Sequence, residues 1–275
     1  MDPHHPAPGL LLALAFTGPL WAMLAVRLVP ERFWPAQAPR PAQDRLNLFA
    51  WLAYMTAQFA LAPAFGGLVT LAINASGGGL IALPSQGWGL AFGAAIYLLA
   101  MDLGEYAFHR AQHAIPALWA MHTLHHSDTH FDSTTSARHF WAEPVIKSLT
   151  VWLAVGVLFK ASPAIVAIYA AATYYNVLIH SNTRLNFGRL AWIANSPAYH
   201  RVHHSASPEH FNCNYAALLT IYDVIFGGYR PPRPGEVPRT GLDTGEAPRS
   251  MTEAALWPVR YTQMRQAREA TAEPV

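Results

Sequence analysis

The sequence predicts an all-α polytopic membrane protein, about five membrane-crossing or membrane-embedded helices carrying a histidine-rich helical cap. Three observations predict it. Of 275 residues, 52% are hydrophobic and 12% charged, about half the charged share of a soluble globular chain. No Asp, Glu, Lys or Arg occurs from Leu46 to Met101, a stretch longer than one bilayer crossing needs. The 14 histidines fall mostly in three tight clusters beside apolar runs. This composition excludes disorder. The net charge of +2 gives no basic footprint for nucleic acid. Cys213 is the only cysteine, so an intrachain disulfide, a cysteine zinc finger and an iron-sulfur cluster are excluded. A bound metal must therefore rest on histidine.

Taken in order, the first apolar run is Gly9 to Val26. It is longer than the hydrophobic region of a signal peptide, and the residues before it hold no Lys or Arg, so it reads as a retained span. A second span begins near Leu48, passes Phe65-Gly-Gly and continues from Leu68 to Ile73, where Asn74-Ala-Ser-Gly-Gly-Gly breaks it. A third runs from Trp88 to Ala107. Val145 to Phe159 and Ile165 to Ile179 are apolar halves about Lys160-Ala-Ser-Pro163, a helical hairpin across the membrane and back. Residues 1–100 thus form N-terminal transmembrane helices, 101–230 a region containing the hairpin 145–179, and 231–275 a C-terminal tail. That tail is interspersed with Pro, Gly and Glu, and is expected to be solvated, then interfacial at Trp257 to Tyr261.

Loop charge sets the orientation, because Lys and Arg accumulate on the cytoplasmic side of short loops. Arg27, Arg32, Arg40 and Arg45 follow the first span, Asn74 to Gly87 is uncharged, and ten arginines lie from Arg184 onward. The histidine clusters fall on the arginine-rich face, which is expected to be cytoplasmic. Sixteen Arg against two Lys suggest a GC-rich, bacterial genome, hence a multi-pass protein of a bacterial inner membrane.

The clusters are His109-Arg-Ala-Gln-His113, His122-Thr-Leu-His125-His126 and His200-Arg-Val-His203-His204. On a helix, residues three and four apart share a face, so each cluster can chelate. Surface histidines titrating at a membrane interface would have no reason to repeat that spacing. Imidazole suits zinc, copper, iron and nickel. Eight imidazoles exceed the needs of one tetrahedral zinc and suffice for two metals with open positions. Two adjacent irons of that kind can bind and reduce dioxygen.

Asn176-Val-Leu-Ile-His180 ends the hairpin with another pair four residues apart. An ionisable group there is expected to be functional, with His180 a ninth ligand and Asn176 a direct or water-bridged one. The alternative is a capping or packing pair. Asp102 and Glu105 lie seven and four residues before His109 and share its helical face. Ligating histidines usually donate their second nitrogen to a carboxylate or carbonyl, so both carboxylates are expected to orient histidines; the alternative is the solvated end of a span. Asp128, Asp132, Glu143, Glu209 and Asp223 are weaker candidates for that role. His4 and His5 read as a disordered terminus. His130, His139 and His210 lie near clusters without chelating spacing. Cys213 reads as a packed thiol.

The order H-x3-H, H-x2-H-H, membrane hairpin, H-x2-H-H resembles the fatty acid hydroxylase/sterol desaturase superfamily of membrane di-iron oxygenases, over about Asp102 to Tyr229. His109-Arg, Leu118-Trp119, His126-Ser127, Pro197, His203-His204-Ser205, Asn214-Tyr215 and Asp223-Val-Ile-Phe226-Gly227 look like its pattern. The resemblance implies metal-ligand roles for His109, His113, His122, His125, His126, His200, His203 and His204, and no catalytic residue beyond the ligands. It implies two iron ions, dioxygen as co-substrate, and an external donor of ferredoxin or cytochrome type with its reductase. No G-x-G-x-x-G follows a strand in this chain, so nicotinamide binding belongs to that partner. The implied reaction is hydroxylation or desaturation of an unactivated C–H bond in a lipid taken from the bilayer, a fatty acyl chain or sterol-like molecule.

The sequence departs from the pattern at Asn212-Cys213-Asn214-Tyr215-Ala216, where many members carry Asp-x-Asn-Tyr-Gly, and at Tyr222-Asp223 in place of Trp-Asp. The ligand set survives; subfamily and substrate stay open, and no carboxylate stands at 212. Two other readings remain: a membrane zinc-dependent hydrolase, which lacks its H-E-x-x-H signature here, and a non-enzymatic metal carrier or sensor.

Overall fold

The charge-free stretch forms two long helices, Asp44–Ala75 of 32 residues and Trp88–Ala114 of 27. The computed structural model describes residues 8–39 and 44–271; His4, His5 and Arg40 lie outside them. Pro8–Leu28 packs against the first long helix and Tyr175–Ile179 through Met23, Trp51, Met55 and Val177. Between the long helices, four glycines, Gly77, Gly78, Gly79 and Gly87, take positive φ. At Gly79 (φ 106°) a Cβ would sit 2.6 Å from the Lys160 amide nitrogen, so only glycine permits this approach. There Ile81–Ala82 pairs in parallel with Phe159–Lys160, Ile81 opposite Phe159. This short ladder ties the loop ahead of the second long helix to the tip of the hairpin.

Among the described residues, Trp88–Ala114 is the one helix long and apolar enough to cross a membrane alone. Asp44–Leu61 and Ala64–Ala75 would make a second crossing together, bent by 53°. The expected five is therefore not reached by length and composition. The hairpin accounts for two of the missing crossings. Its first half is Glu143–Lys147, a wider π-helical turn Ser148–Trp152, and Leu153–Leu158. Its second is Pro163–Thr173 followed by Tyr175–Ile179. Each half is shorter than the roughly 20 residues a bilayer core requires.

Trp88–Ala114 has two distinct faces. Trp88, Phe92, Leu99 and Leu103 are exposed along one stripe. The opposite face packs Tyr97, Met101 and Phe108 against Val151, Val155, Ile165 and Tyr169. Gly104 lets the π-helical turn close in, since a Cβ there would lie 2.8 Å from Val151 Cγ1. The helix continues through Asp102, Glu105 and His109 without a break, so position 100 is no structural boundary. It ends because Ile115 must be extended (φ −98°, ψ 117°) before Pro116, which opens the next helix, Pro116–His126.

The C-terminal segment is not a free tail. Trp257–Thr271 packs on Pro116–His126, with Trp257 1% exposed in a core with Ala120, Leu124, Leu242 and Ala254. Trp257 Nε1 donates to Thr123 Oγ1 (3.0 Å) and Trp119 Nε1 to the Tyr261 hydroxyl (3.2 Å). Trp257 and Tyr261, expected at a membrane interface, instead hold the histidine helix. Below it, fully buried Arg138 donates to the Leu124 carbonyl, Asn47 Oδ1 and Ser127 Oγ, while Asp128 accepts from Asn47 and Thr135.

Candidate metal centre

Four helix ends deliver the histidines. Trp88–Ala114 brings His109 and His113, and across the single extended residue Ile115 the next helix brings His122, His125 and His126. His180 follows Tyr175–Ile179 as its C-cap. Ser196 caps Pro197–His203, its Oγ accepting from the Tyr199 amide, and that helix brings His200, His203 and His204.

The nine imidazoles form two groups. His109, His113, His122, His126 and His203 offer donor atoms all within 4.8 Å of one another, as do His125, His180, His200 and His204. Sequence neighbours divide between them because successive helical residues point about 100° apart: His126 joins the first group and His125 the second, His203 the first and His204 the second. The groups touch, with the His126 and His204 rings stacked at 4.4 Å.

The donor set fits metal. His109 Nε2, His113 Nε2, His126 Nε2 and His203 Nε2 are buried with no hydrogen-bond partner among the described residues, as are both ring nitrogens of His122 and of His204. Leaving so many buried polar atoms unpaired would be costly without a ligand between them. In the second group, His180 Nε2 lies 3.1 Å from His125 Nε2 and 3.0 Å from His200 Nε2. Two nitrogens about 2.1 Å from one metal and about 90° apart would be separated by about 3.0 Å.

Backbone carbonyls set the tautomers. His109 Nδ1 donates to the Tyr215 carbonyl (2.7 Å), His203 Nδ1 to that of Cys213 (2.7 Å), and His180 Nδ1 to that of Asn176 (2.6 Å). Each bond turns Nε2 toward its group. Asn212 and Asn214 adopt left-handed φ of 56° and 59°, which Asn tolerates better than most residues, and the segment thereby presents two carbonyls to two histidines. Burial holds the imidazoles neutral, the form that can ligate. Desolvation pushes His180 and His203 down to about 3. It also lowers His122, His125, His126, His200 and His204.

Residues 94–228, which hold all nine histidines, match the family model described as fatty acid hydroxylase. The chain carries a fatty acid hydroxylase domain. It is similar to alkylglycerol monooxygenase of Xenopus tropicalis, 34% identical over 55% of this chain and 33% of that protein. The ornithine lipid hydroxylase of Rhizobium tropici is 31% identical over 55% of this chain and 46% of its own. A Delta(7)-sterol 5(6)-desaturase of Gibberella zeae is 28% identical over the same two shares, 55% and 46%. The matched region thus spans between a third and just under half of these relatives. No solved structure matches the chain.

Within the hydroxylase domain the carboxylates do not act as expected. Asp102 accepts from the amides of Leu218 and Leu219 (both 3.0 Å), and Glu105 pairs with Lys147 Nζ (2.7 Å) and the Tyr169 hydroxyl (3.4 Å). Among the described residues neither is bonded to a histidine. Periodicity gave their face correctly, but loops more than a hundred residues away in sequence claim Asp102, and the hairpin claims Glu105. Asn176 contributes its carbonyl. Asp223 accepts from the amides of Tyr215 and Ala216 (both 2.9 Å) and from the Tyr199 hydroxyl (3.1 Å), fixing the strained segment.

Glu143 is the carboxylate nearest the histidines. Its Oε2 accepts from Gln112 (3.0 Å) and His139 Nδ1 (3.1 Å) and lies 3.9 Å from His122 Nδ1. The signal was His139 and Glu143 four residues apart. The His139 ring stacks on His125 at 4.5 Å. His210 bonds Ser205 Oγ and pairs with Glu236, and His130 faces Asp132; neither joins a group. Cys213 is buried with its thiol on the His210 carbonyl, and burial pushes it up to about 12.

A cavity of about 320 Å³ opens beside the two groups, within the range of small-molecule sites. Met23, Trp51, Met55, Trp152, Val177 and Tyr174 line its apolar part, and His109, His122, His125, His180 and His200 its end. Trp119, Phe140 and Tyr199 lie outside it in the core.

Proposed function

We propose that the chain is a membrane-embedded di-iron oxidoreductase that uses dioxygen and external electrons to hydroxylate, or desaturate, an unactivated C–H bond of a lipid. One observation carries the reading: two touching imidazole groups, of five and four, form the end of a cavity walled by apolar residues of the N-terminal helices and hairpin. His109, His113, His122, His126 and His203 would hold one iron, and His125, His180, His200 and His204 the other. When bound, the irons supply the reduction of dioxygen and the oxidising power to break the C–H bond.

The protein's own residues then do the rest. The Tyr215, Cys213 and Asn176 carbonyls keep His109, His203 and His180 in the ligating tautomer. Met23, Trp51, Met55 and Trp152 hold the alkyl part of the substrate and exclude water from the reacting carbon. The exposed stripe of Trp88, Phe92, Leu99 and Leu103 would face acyl chains, from which a lipid enters. The arginine-rich side, with the histidines, would face the cytoplasm of a bacterial inner membrane and meet a ferredoxin- or cytochrome-type donor. The names of the relatives, which act on an alkylglycerol and an ornithine lipid, favour a polar lipid with a long alkyl chain.

The test is metal analysis of purified, untagged protein expressed with iron, beside His203→Ala and His125→Ala, together with lipid-dependent dioxygen consumption. Two irons per chain and turnover, both lost in the variants with membrane insertion unchanged, are expected. Turnover retained in either variant, or one tightly held zinc with no iron uptake on reconstitution, would overturn the assignment.

A further inference from the structure

The cavity has a polar wall that the metal chemistry does not use. Glu105 and Lys147 both line it and pair at 2.7 Å. Their side chains keep 20% and 25% of their surface open, whereas the interior pair Arg138 and Asp128 is closed to 0%. Arg138 spends its donors on a carbonyl, an amide and a hydroxyl. The Lys147 ammonium has three donors, and among the described residues Glu105 is its one hydrogen-bonding or ion-pair partner. The Phe108 ring lies 5.7 Å from its Nζ. Glu105 in turn accepts from Lys147 and distantly from Tyr169.

A buried ion pair is poor value as structural glue, because desolvation offsets most of its attraction. Charges at membrane depth usually serve a substrate. This pair offers a spare ammonium donor and a spare carboxylate acceptor side by side, the complement of a group that both accepts and donates. Glu105 stands four residues before His109, about 6 Å along the helix axis, within one small molecule's reach of the imidazoles. A π-helical turn begins at Ser148, directly after Lys147, a feature frequent at functional sites.

We infer that Glu105 and Lys147 form a headgroup subsite that binds a hydroxyl-bearing lipid, Lys147 donating to a hydroxyl oxygen and Glu105 accepting its proton in a hydrogen bond. This deepens the lipid-oxidising reading and rests on it for the identity of the ligand's tail. The pair, not the apolar wall, then separates a polyol-headed lipid from a capped one of equal chain length.

The experiment compares 1-O-hexadecylglycerol with its 2,3-di-O-methyl ether, identical in chain but lacking hydroxyl donors. Binding to the iron-loaded, detergent-purified full chain is followed by the fluorescence of Trp51 and Trp152, which line the cavity. Wild type is expected to prefer the diol about tenfold to a hundredfold, the worth of one or two hydrogen bonds to charged groups. Glu105→Gln/Lys147→Met, neutral and similar in volume, is expected to bring the two ligands within about threefold while keeping its iron. Where the double variant loses iron, Lys147→Gln alone carries the comparison. No preference in wild type, or a preference that survives in an iron-loaded variant, would overturn the subsite. Because the readout is binding, a wild type that prefers the diol but consumes no dioxygen would refute the oxidase reading and leave the subsite standing.

Discussion

Asp223 reaches the histidines only through Tyr215, whose carbonyl bonds His109, yet replacing it with Asn should loosen a bound metal. Its two oxygens accept from two backbone amides at 2.9 Å and one tyrosine hydroxyl at 3.1 Å, all buried. In Asp223→Asn the amide oxygen, placed at the Oδ2 position, keeps the Ala216 amide and the Tyr199 hydroxyl, and the NH2 group then faces the Tyr215 amide. Losing a charge-assisted bond and leaving a buried N–H opposite another donor costs about 2–4 kcal/mol. The strain falls on Tyr215, whose carbonyl holds His109 Nδ1 at 2.7 Å. Loss of such an orienting partner typically costs about tenfold to a hundredfold in metal affinity. The assay titrates iron-loaded protein with a graded series of chelators and compares Asp223→Asn with Glu209→Gln, an exposed carboxylate on a neighbouring loop. Iron retention within about threefold of wild type, in a folded Asp223→Asn protein, would refute the chain of reasoning from carboxylate to carbonyl to imidazole.

Three further outcomes follow from the same geometry. Burial lowers the imidazoles of the folded state, His180 and His203 to about 3, while the unfolded chain takes up protons below about 6.5. The metal-free protein should therefore lose the stability contributed by these imidazoles as pH falls from about 6.5 toward 3; a melting temperature unchanged from pH 7.5 to 5 would contradict it. Trp257→Ala removes a side chain 1% exposed and its bond to Thr123, which should cost about 3–5 kcal/mol and weaken iron retention, since His122 and His126 flank Thr123; unchanged thermal unfolding would count against this docking. Cys213→Ala should leave iron stoichiometry unchanged, because the backbone carbonyl and not the thiol meets His203; loss of iron would make the sulfur a participant.

The sequence exposed the histidines far better than their surroundings. Chelating spacing singled out eight imidazoles, because a helix converts interval into direction without knowledge of the rest of the chain, and the ninth, His180, was singled out as an ionisable group ending an apolar hairpin. Spacing could not divide them, since the partition of His125 from His126 depends on where the helices carrying His109, His180 and His200 arrive. Asp102 and Glu105 failed for a related reason: spacing gives a face, whereas the partner on that face is chosen by loops and hairpin. The hairpin halves looked like spans because apolar composition does not reveal a π-helical turn or the break at Tyr174. Trp257 and Tyr261 read as interfacial because an amphipathic aromatic fits a membrane surface and a helix groove equally well.

The division of neighbouring histidines has a mechanical consequence. Pro116–His126 gives His122 and His126 to one group and His125 to the other, and the third cluster gives His203 to one and His200 and His204 to the other. Each helix is thus a rivet through both sites at once. The gap between two bound ions would be fixed by adjacent peptide units, not by loops that flex. A tilt of either helix displaces both donor sets together, so the two sites tighten or slacken as a single body, and neither can be tuned by evolution without disturbing its twin.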